Sequence, residues 1–128
     1  MKNKNLEDFK IEKLHYKHSL LEFDCGDEKT NKYFIERSFE DVENKNSQVY
    51  VFLKKKEIIG FYAISTKSVR FAKNKENEEE YSWPVLLIGQ LGVNTPSQGQ
   101  GWGPLIIEKA IEKGKSISTE VGCVGIVV

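Results

Sequence analysis

The sequence predicts an α/β fold, and three features support that prediction. Two segments rich in β-branched and aromatic residues, 49–53 and 58–64, flank a short charged stretch and indicate a β-hairpin. A nearly continuous apolar run at 84–93 is typical of a strand buried on both faces. Residues 104–114 then place apolar side chains at helical spacing. We therefore expect strands and helices to share one core.

The sequence also predicts a first strand and a first helix before the hairpin, and a loop between the hairpin and the buried strand. The mixed stretch from Phe9 to Phe23 predicts a short first strand that leads into a turn at 24–27. Asp27 is a suitable N-cap for an amphipathic helix over 28–44. The polar stretch 73–82 predicts a solvated loop, which would connect two strands or border a substrate site. The expected apolar face of the first helix contains Ile35, Phe39 and Val42, with Phe34 and Ser38 beside them.

The last helix and the glycines of the buried run are predicted in more detail. Pro104 suits the first position of a helix, and residues 121–128 predict a final strand. Gly89 and Gly92 mark a bulge or a close approach within the buried strand. The buried face of the last helix is expected to contain Ile106, Ile107, Ala110, Ile111 and Gly114.

The composition is that of an ordinary folded domain. The chain has 128 residues, 39% hydrophobic and 30% charged, so we expect one domain over 1–128. Basic and acidic residues number 19 each, which gives no global attraction to nucleic acid. The sequence lacks a membrane-spanning run and a secretory signal. Cys25 and Cys123 lie far apart, so we expect a reduced cytoplasmic protein.

The stretch from Gln98 to Pro104 is the most informative part of the chain. Its three glycines, Gly99, Gly101 and Gly103, alternate between a buried strand and a helix. Residues without a Cβ can turn successive amides toward one point, and the helix start adds the positive end of its dipole. The pattern therefore predicts a site for a phosphate or pyrophosphate.

Two common phosphate-binding motifs do not fit this stretch. A P-loop would end in Gly-Lys-Ser or Gly-Lys-Thr, which is absent. A dinucleotide-binding fingerprint would need glycine at Pro104 or at Ile106, and an acidic residue at the end of the next strand. Glu120 instead precedes the predicted final strand. Nucleoside triphosphates and dinucleotides are thus disfavoured.

A third motif, Gln-x-x-Gly-x-Gly, does fit, with Gln98, Gly101 and Gly103 in its defined positions. This is the coenzyme A motif of the GNAT N-acetyltransferases. Nearly the whole chain resembles the toxin-type GNAT acetyltransferases of bacterial toxin–antitoxin pairs. The resemblance implies a mixed, mostly antiparallel sheet flanked by helices, without the family's usual C-terminal strands.

Three further segments carry the same resemblance. A Phe-Asp-Cys-Gly turn occupies 23–26, with Asn31 at the matching position of the following helix. The second strand of the hairpin begins with Gly-Phe-Tyr at 60–62, close to the Gly-Tyr-Tyr of the family. Residues 87–93 match the strand that precedes the family's glycine loop.

The resemblance implies acetyl-CoA as co-substrate and no metal. Backbone groups of the strand end would pair with pantetheine and stabilise the oxyanion of the tetrahedral intermediate. The following loop would hold the pyrophosphate. The implied cofactor-binding residues are Leu91, Gly92, Val93, Gln98, Gly99, Gln100, Gly101, Trp102 and Gly103.

The resemblance also implies an acceptor and a partner. The acetyl group would pass to an amine, which in the toxin branch is the α-amino group of aminoacyl-tRNA, and the partner would be a ribbon-helix-helix antitoxin. Two alternatives remain open: an acetyltransferase for a small amine or a protein N-terminus, and an inactive remnant that binds acyl-CoA or an antitoxin. Relatives often carry arginine and aspartate where Gln90 and Asn94 stand, and the missing arginine weakens the tRNA interpretation.

The expected general acid is a tyrosine that the family places after the strand matching 121–128, beyond Val128. The sequence itself therefore assigns no catalytic residue, and we expect a chain shortened at its C-terminus. A final strand without its later neighbours would expose unpaired backbone, so we also expect self-association.

Other polar residues favour structural roles. His15 and His18 have no clustered metal ligands around them, and Cys25 has no evident base partner. Tyr62 and Tyr81 lie in strand-like segments, where tyrosine usually packs. Residues 54–56 are three lysines at a hairpin tip, which are solvated in most proteins and contact an RNA backbone in some.

Overall fold

A computed structural model describes residues 8–72, 80–123 and 125–128. The described strands form one five-stranded sheet in the order β1-β2-β3-β4-β5. The first three pairings are antiparallel and the last is parallel. The mixed, mostly antiparallel sheet flanked by helices is therefore confirmed. The strands are β1 Lys10–Lys13, β2 Gln48–Lys54, β3 Glu57–Ala72, β4 Glu80–Val93 and β5 Ile126–Val127.

The helices lie in two segments of the chain. The first segment consists of α1, Glu28–Lys32, a π-helical turn, Tyr33–Arg37, and α2, Ser38–Glu43. The second is α3, Trp102–Glu120, which follows a short 3-10 turn, Thr95–Ser97. None of the described helices is long and apolar enough to cross a membrane.

The sheet buries apolar side chains on both faces because successive residues of a strand point to opposite sides. On the α3 face, Tyr50 and Tyr62 belong to one buried cluster that includes Ile106. On the other face, Val51 and Phe61 belong to a second cluster that receives the first helical segment. In β4, the adjacent residues 85 and 86 are both buried, which confirms a strand covered on both faces.

The π-helical turn changes which residues of the first helical segment face the sheet. Phe34 and Ser38 are completely buried, whereas Ile35, Phe39 and Val42 are only partly buried. The residues that face the core are therefore Phe34 and Ser38, each one position before the predicted Ile35 and Phe39. A π turn holds one residue more than an α turn and rotates the helix beyond it. The Ser38 hydroxyl donates to the Phe34 carbonyl, so this buried polar group is satisfied.

The hairpin of β3 and β4 is longer than the sequence predicts. Pairing continues to Ala72 opposite Glu80, so residues 80–82 belong to a strand instead of the expected loop. Residues 73–79 of that loop lie outside the described part of the chain. Most side chains at 65–70 are exposed, so backbone pairing extends β3 without burial. The sequence prediction missed this extension because it relied on apolar runs, and the side chains of the extension are mostly polar.

Two other predicted boundaries are wrong. Helix α3 begins at Trp102, so Pro104 occupies its third position instead of its first. The helix also continues to Glu120, and a turn at 121–122 follows. Among the described residues of the expected final strand, Ile126 and Val127 pair with β4. In the predicted face of α3, Ile106, Ala110 and Gly114 are buried, while Ile107 is 38% exposed and Ile111 is partly buried.

The glycine positions in β4 agree with their predicted roles. Gln90 pairs with Ala63 and Ile88 pairs with Ile64, which leaves Gly89 as the extra residue of a bulge. A Cβ on Gly92 would lie 3.2 Å from the Cβ of Cys25 and 3.1 Å from the ring of Phe61. Gly92 therefore permits the close approach of the turn at 23–26 to the sheet.

Candidate functional site

The turn at 23–26 is held by side chains of its own and of α1. Asp24 Oδ1 accepts hydrogen bonds from the Gly26 N–H at 2.8 Å and from Asn31 Nδ2 at 2.9 Å. These two bonds hold the pKa of Asp24 below its usual value. Asn31 Oδ1 accepts from the Cys25 N–H at 2.8 Å. The resemblance at Asn31 thus has a structural basis, since its amide closes the turn.

Asp27 caps α1, as predicted. Its carboxylate accepts from the Thr30 N–H at 3.1 Å and from the Thr30 hydroxyl, and the hydroxyl bond is the main cause of its lowered pKa. The Cys25 side chain is half-buried against Gly92, which agrees with a packing role. The start of α1 therefore lies beside the end of β4.

Asn94 joins this turn to the end of β4. Its Oδ1 accepts from the Asp24 N–H at 3.0 Å, and its own N–H donates to the Ile59 carbonyl at 2.7 Å. The next residue, Thr95, donates its N–H to the Asp24 carbonyl at 2.7 Å. An amide at position 94 can accept and donate at once, so it suits this junction.

The side chain of Gln98 bonds the glycine loop to two neighbouring segments. Its Nε2 donates to the Cys25 carbonyl at 2.8 Å and to the Val93 carbonyl at 2.9 Å. Both donors of the amide are therefore used within the protein. The first residue of the Gln-x-x-Gly-x-Gly motif therefore shapes the loop by bonding it to the turn at 23–26 and to the end of β4.

The glycines of the loop have the conformations that the motif needs. Gly99 has φ 77° and Gly101 has φ 93°, a region that side chains with a Cβ rarely adopt. Gly101 is the N-cap of α3 and provides no side-chain acceptor for its first-turn amides. Unpaired amides at a helix start are a binding site for an anion. The amides of this kind belong to Trp102 and Gly103, because Pro104 has none.

The Trp102 side chain takes no part in such a site. It is 2% exposed and packs edge-on against Phe9, with ring centroids 5.6 Å apart. Trp102 therefore anchors the start of α3 in the core and leaves only its backbone for a ligand. Gln100 is partly buried and does not line the groove described below.

In the described part of the chain, no strand pairs with residues 91–93 on the edge of β4 that faces away from β3, which we call the free edge. Strand β5 pairs only with residues 86 and 87, so it does not reach residues 91–93. The Asn94 N–H points to β3, and the alternation of an antiparallel strand then turns the amides of Leu91 and Val93 to the opposite edge. By the same alternation, the backbone groups of Gly92 pair with Phe61 in β3.

One groove of about 750 Å³ brings these features together. It contains the free edge of β4, the glycine loop and the starts of α1 and α3. Eight of the nine predicted cofactor-binding residues line it, all except Gln100. The residues that the sequence analysis did not assign to it are Cys25, Asp27, Thr30, Ser97 and Pro104. The turn at 23–26 was identified by resemblance, but only the tertiary structure places it in the groove.

Tyr62, one of the two candidate tyrosines, does not reach this groove. Tyr62 is 2% exposed and stacks on Tyr50 with ring centroids 5.0 Å apart, and burial raises its pKa well above the usual value. Burial also raises the pKa of Tyr33 to about 12, and its hydroxyl donates to Asp41 at 2.8 Å. The Tyr81 side chain lies outside the described residues. No tyrosine is found among the described residues that line the groove.

The two histidines form a local turn. His18 Nδ1 accepts from the His15 N–H at 2.9 Å, and His18 Nε2 lies 2.9 Å from Glu12 Oε1. No group of three metal-binding side chains occurs in the described part of the chain. The structural role predicted for these histidines agrees with this geometry.

Comparison with known proteins gives relatives with the same architecture. No protein-family model matches the chain. A tRNA-acetylating toxin from Mycobacterium tuberculosis (strain ATCC 25618 / H37Rv) is 26% identical over 110 residues, which are 83% of this chain. The same alignment covers 66% of that toxin, so the chain spans slightly less than two thirds of its length.

Two solved structures of the toxin AtaT superpose on most of the chain. AtaT complexed with acetyl-methionyl-tRNAfMet matches with TM-score 0.78 and 25% identity, over 93% of this chain and 76% of AtaT. A tyrosine-to-phenylalanine mutant of AtaT, bound to the C-terminus of the antitoxin AtaR and acetyl-CoA, matches with TM-score 0.77 and 25% identity, over 94% and 73%. The chain is therefore similar in sequence and in fold to toxin-type acetyltransferases. The resemblance stated from the glycine loop and its neighbouring segments is confirmed.

Proposed function

We propose that this chain belongs to an N-acetyltransferase that moves the acetyl group of acetyl-CoA to the α-amino group of aminoacyl-tRNA in the cytoplasm. The observation that carries the proposal is the single groove in which the free edge of β4 meets the glycine loop and the uncapped start of α3. Residues 1–128 would act as one cofactor-binding domain. The ligands in the AtaT structures, acetyl-CoA and acetyl-methionyl-tRNA, support both substrates.

The groove has two parts with different chemistry. The amides of Trp102 and Gly103 would hold the pyrophosphate, with the dipole of α3 behind them. The amides of Leu91 and Val93 face the groove and would pair with the pantetheine arm as a neighbouring strand would. An extended arm on this edge would place the thioester near β4.

The reaction itself needs one bond to form and one to break. The amine nitrogen attacks the thioester carbon, and the carbonyl oxygen becomes an oxyanion that a β4 amide would stabilise. The carbon–sulfur bond then breaks, and a general acid protonates the departing thiolate to give CoA. The amine nitrogen loses one proton as the amide forms, and this proton balances the one that the sulfur gains. The resemblance assigns that acid to a tyrosine beyond Val128. A ribbon-helix-helix antitoxin as the partner is supported by the AtaR complex.

A direct test follows the acetyl group. The protein is incubated with labelled acetyl-CoA and a mixture of charged tRNAs. We expect label on the amino acid of charged tRNA and none on deacylated tRNA, because only the charged form presents an α-amino group. Polyamines and peptides with free N-termini are the matched acceptors for the small-amine and protein alternatives.

Each outcome selects one interpretation. Label on a polyamine or a peptide, with charged tRNA unlabelled, would replace the proposed acceptor. Binding of acetyl-CoA without transfer to any amine would favour the inactive binding remnant. Absence of both binding and transfer would contradict the proposed function as a whole.

A further inference from the structure

A hollow of about 540 Å³ lies between the β1 edge of the sheet and α3. Its base contains the stacked rings of Tyr50 and Tyr62, which pair with each other across β2 and β3. Helix α3 contributes four side chains spaced by three and four positions, so they lie on one helix face; they are residues 109, 112, 113 and 116. None of the described residues that line this hollow also lines the groove. The hollow is therefore separate from the proposed cofactor site.

The two tyrosines bring hydroxyl groups to this hollow that no described residue uses. Tyr62 is 2% exposed and Tyr50 is 7% exposed. Burial, and then the neighbouring Tyr50, raise the pKa of Tyr62, as expected for two hydroxyls that lie close together. Neither hydroxyl is hydrogen-bonded to another described residue, and no side-chain polar atom of the described residues is both buried and unpaired. Both hydroxyl oxygens therefore open onto the hollow, where each can donate a hydrogen bond.

The hollow also has an excess of positive charge. It is lined by one carboxylate, that of Glu112, and by three lysines, Lys13, Lys109 and Lys113. Lys109 Nζ lies 3.3 Å from Glu112 Oε2, so these two charges balance. Lys113 Nζ lies 5.3 Å from the centroid of the Tyr50 ring. Lys13 stands directly opposite Tyr50 in the pairing of β1 and β2, so the two side chains share a face of the sheet. Two unbalanced ammonium groups therefore accompany the tyrosine hydroxyls.

We propose that this hollow is a binding site for a phosphate group. The side chains that would hold it are those of Tyr50, Tyr62, Lys13, Lys113 and Ser116. Lysine, serine and tyrosine are among the residues that contact nucleic-acid phosphates in proteins. A phosphate monoester carries close to two negative charges at neutral pH, which the two unbalanced lysines match as point charges. Two sources share this chemistry, a small phosphate compound and the backbone of an RNA. The site goes beyond the proposed function and does not rest on it.

The test is a titration of inorganic phosphate into the protein, followed by NMR through the backbone amides of α3. We expect saturable shifts at residues 112–116, with a dissociation constant of about 1 mM. Sodium chloride and sodium acetate at the same ionic strength should leave these amides unshifted. Phosphate bound at the glycine loop would instead shift the amides of 102–103, so the two sites are read separately. Equal shifts at 112–116 with acetate, or shifts that never saturate, would overturn the inference.

Tyr62→Phe removes one hydroxyl and keeps the ring. Phosphate should bind about three- to tenfold more weakly, as expected for the loss of one hydrogen bond. The variant should unfold near the wild-type temperature without ligand, because this hydroxyl bonds no other described residue. Tyr33→Phe is the matched control, since the Tyr33 hydroxyl donates to Asp41 on the other face of the sheet. It should keep the wild-type affinity for phosphate. A Tyr62→Phe protein that is less stable but binds phosphate as wild type does would make the hydroxyl structural and overturn the inference.

A second pair of variants tests the charge. Lys113→Gln and Lys115→Gln each remove one positive charge from α3, but Lys115 is exposed and does not line the hollow. The affinity for phosphate should fall in Lys113→Gln and stay unchanged in Lys115→Gln. An equal fall in both variants would reduce the effect to the overall charge of the helix and contradict the proposed site.

The source of the phosphate is decided with deacylated tRNA, titrated in a chloride buffer into wild type, Tyr62→Phe and Tyr33→Phe. Weaker binding by Tyr62→Phe alone, with an affinity that falls as salt rises, would support the site and assign it to an RNA backbone. Equal tRNA affinities, together with weakened binding of inorganic phosphate by Tyr62→Phe, would support the site and assign it to a small phosphate compound. Unchanged affinity of Tyr62→Phe for both ligands would overturn the inference.

Discussion

The three glycines of the loop at 98–104 differ in what a side chain at each would do. Gly99 and Gly101 have positive φ, so a side chain there would strain the loop even without a ligand. Gly103 has ordinary helical geometry, and a Cβ built on it has Val93 Cγ2 as its nearest neighbour at 3.9 Å. A loss of binding in Gly101→Val would therefore mix strain with blockage, whereas Gly103 separates the two.

We predict that Gly103→Ala removes acetyl-CoA binding without destabilising the protein. The added methyl group would enter the groove where the pyrophosphate approaches, while the helix would gain at most about 1 kcal/mol from the better helix former. The melting temperature is measured with and without acetyl-CoA, since a ligand that binds only the folded state raises it. The ligand-free value should equal or exceed that of wild type.

Gly122→Ala is the matched control, because a Cβ there meets nothing within 4 Å and the residue lies in a turn beyond α3. It should retain the full shift in melting temperature. A full shift in Gly103→Ala as well would remove the start of α3 from the cofactor site.

At the level of the elements, the site depends on how closely β3, β4 and α3 approach one another. Gly60 of β3 stands opposite Val93 of β4 and beneath Ile106 of α3. A Cβ on Gly60 would lie 2.6 Å from the Gly92 carbonyl oxygen and 2.6 Å from Ile106 Cδ1. The side chain of Ile106 can rotate, but the carbonyl belongs to a paired strand and cannot.

Gly60→Ala should therefore destabilise the fold, by about 1–3 kcal/mol as for other overpacked sites. The expected result is a lower denaturant midpoint and a smaller stabilisation by acetyl-CoA, since the displaced strand end carries the amides of Leu91 and Val93. Gly89→Ala serves for comparison, because its Cβ would make only ordinary contacts of 3.5 Å with Leu87. Equal denaturant midpoints for Gly60→Ala and Gly89→Ala would show that β3 and β4 can move apart at Gly60 with little loss of stability.

Over the whole molecule, two apolar clusters on opposite faces of one sheet hold the helices in place. A tyrosine with a raised pKa accompanies each cluster: Tyr33 is partly buried and packs against one, and Tyr62 is buried within the other. Tyr33 lies beside Asp41 and Ser47 on one face, and Tyr62 stacks on Tyr50 on the other. Burial disfavours the tyrosinate form in both places and raises both pKa values.

This arrangement predicts a loss of stability at alkaline pH. A pKa that is higher in the folded state than in the unfolded state leaves the stability unchanged below the unfolded value and lowers it above. The pKa of tyrosine is 10.0 in the unfolded state and about 12 for Tyr33 in the folded state. The free energy of unfolding should therefore fall as the pH rises from 10 to 12. Equilibrium unfolding in urea across this range measures the loss.

The double variant Tyr33→Phe/Tyr62→Phe separates this effect from the titration of lysines in the same range. It should be less stable than wild type at neutral pH, because the hydrogen bonds of Tyr33 are absent, yet lose less stability above pH 10. Parallel losses in the two proteins would assign the alkaline transition to other groups.

Features with local causes could be predicted from the sequence. Glycine spacing located the loop at 98–104, apolar spacing located both helical segments, and Asp27 identified the first helix start. Those patterns act over a few residues, so they can be recognised along the chain. They were sufficient to predict the resemblance to toxin-type acetyltransferases and eight of the residues that line the groove.

Only the tertiary structure decided the features that depend on distant partners. The Gln98 amide donates a hydrogen bond to the Cys25 carbonyl at 2.8 Å, and these two residues are 73 positions apart in the sequence. The π-helical turn exchanged Ile35 for Phe34 in the core, and backbone pairing with β4 extended β3 to Ala72 across exposed side chains. Each outcome depends on contacts between separate segments, and these exist only after the chain has folded.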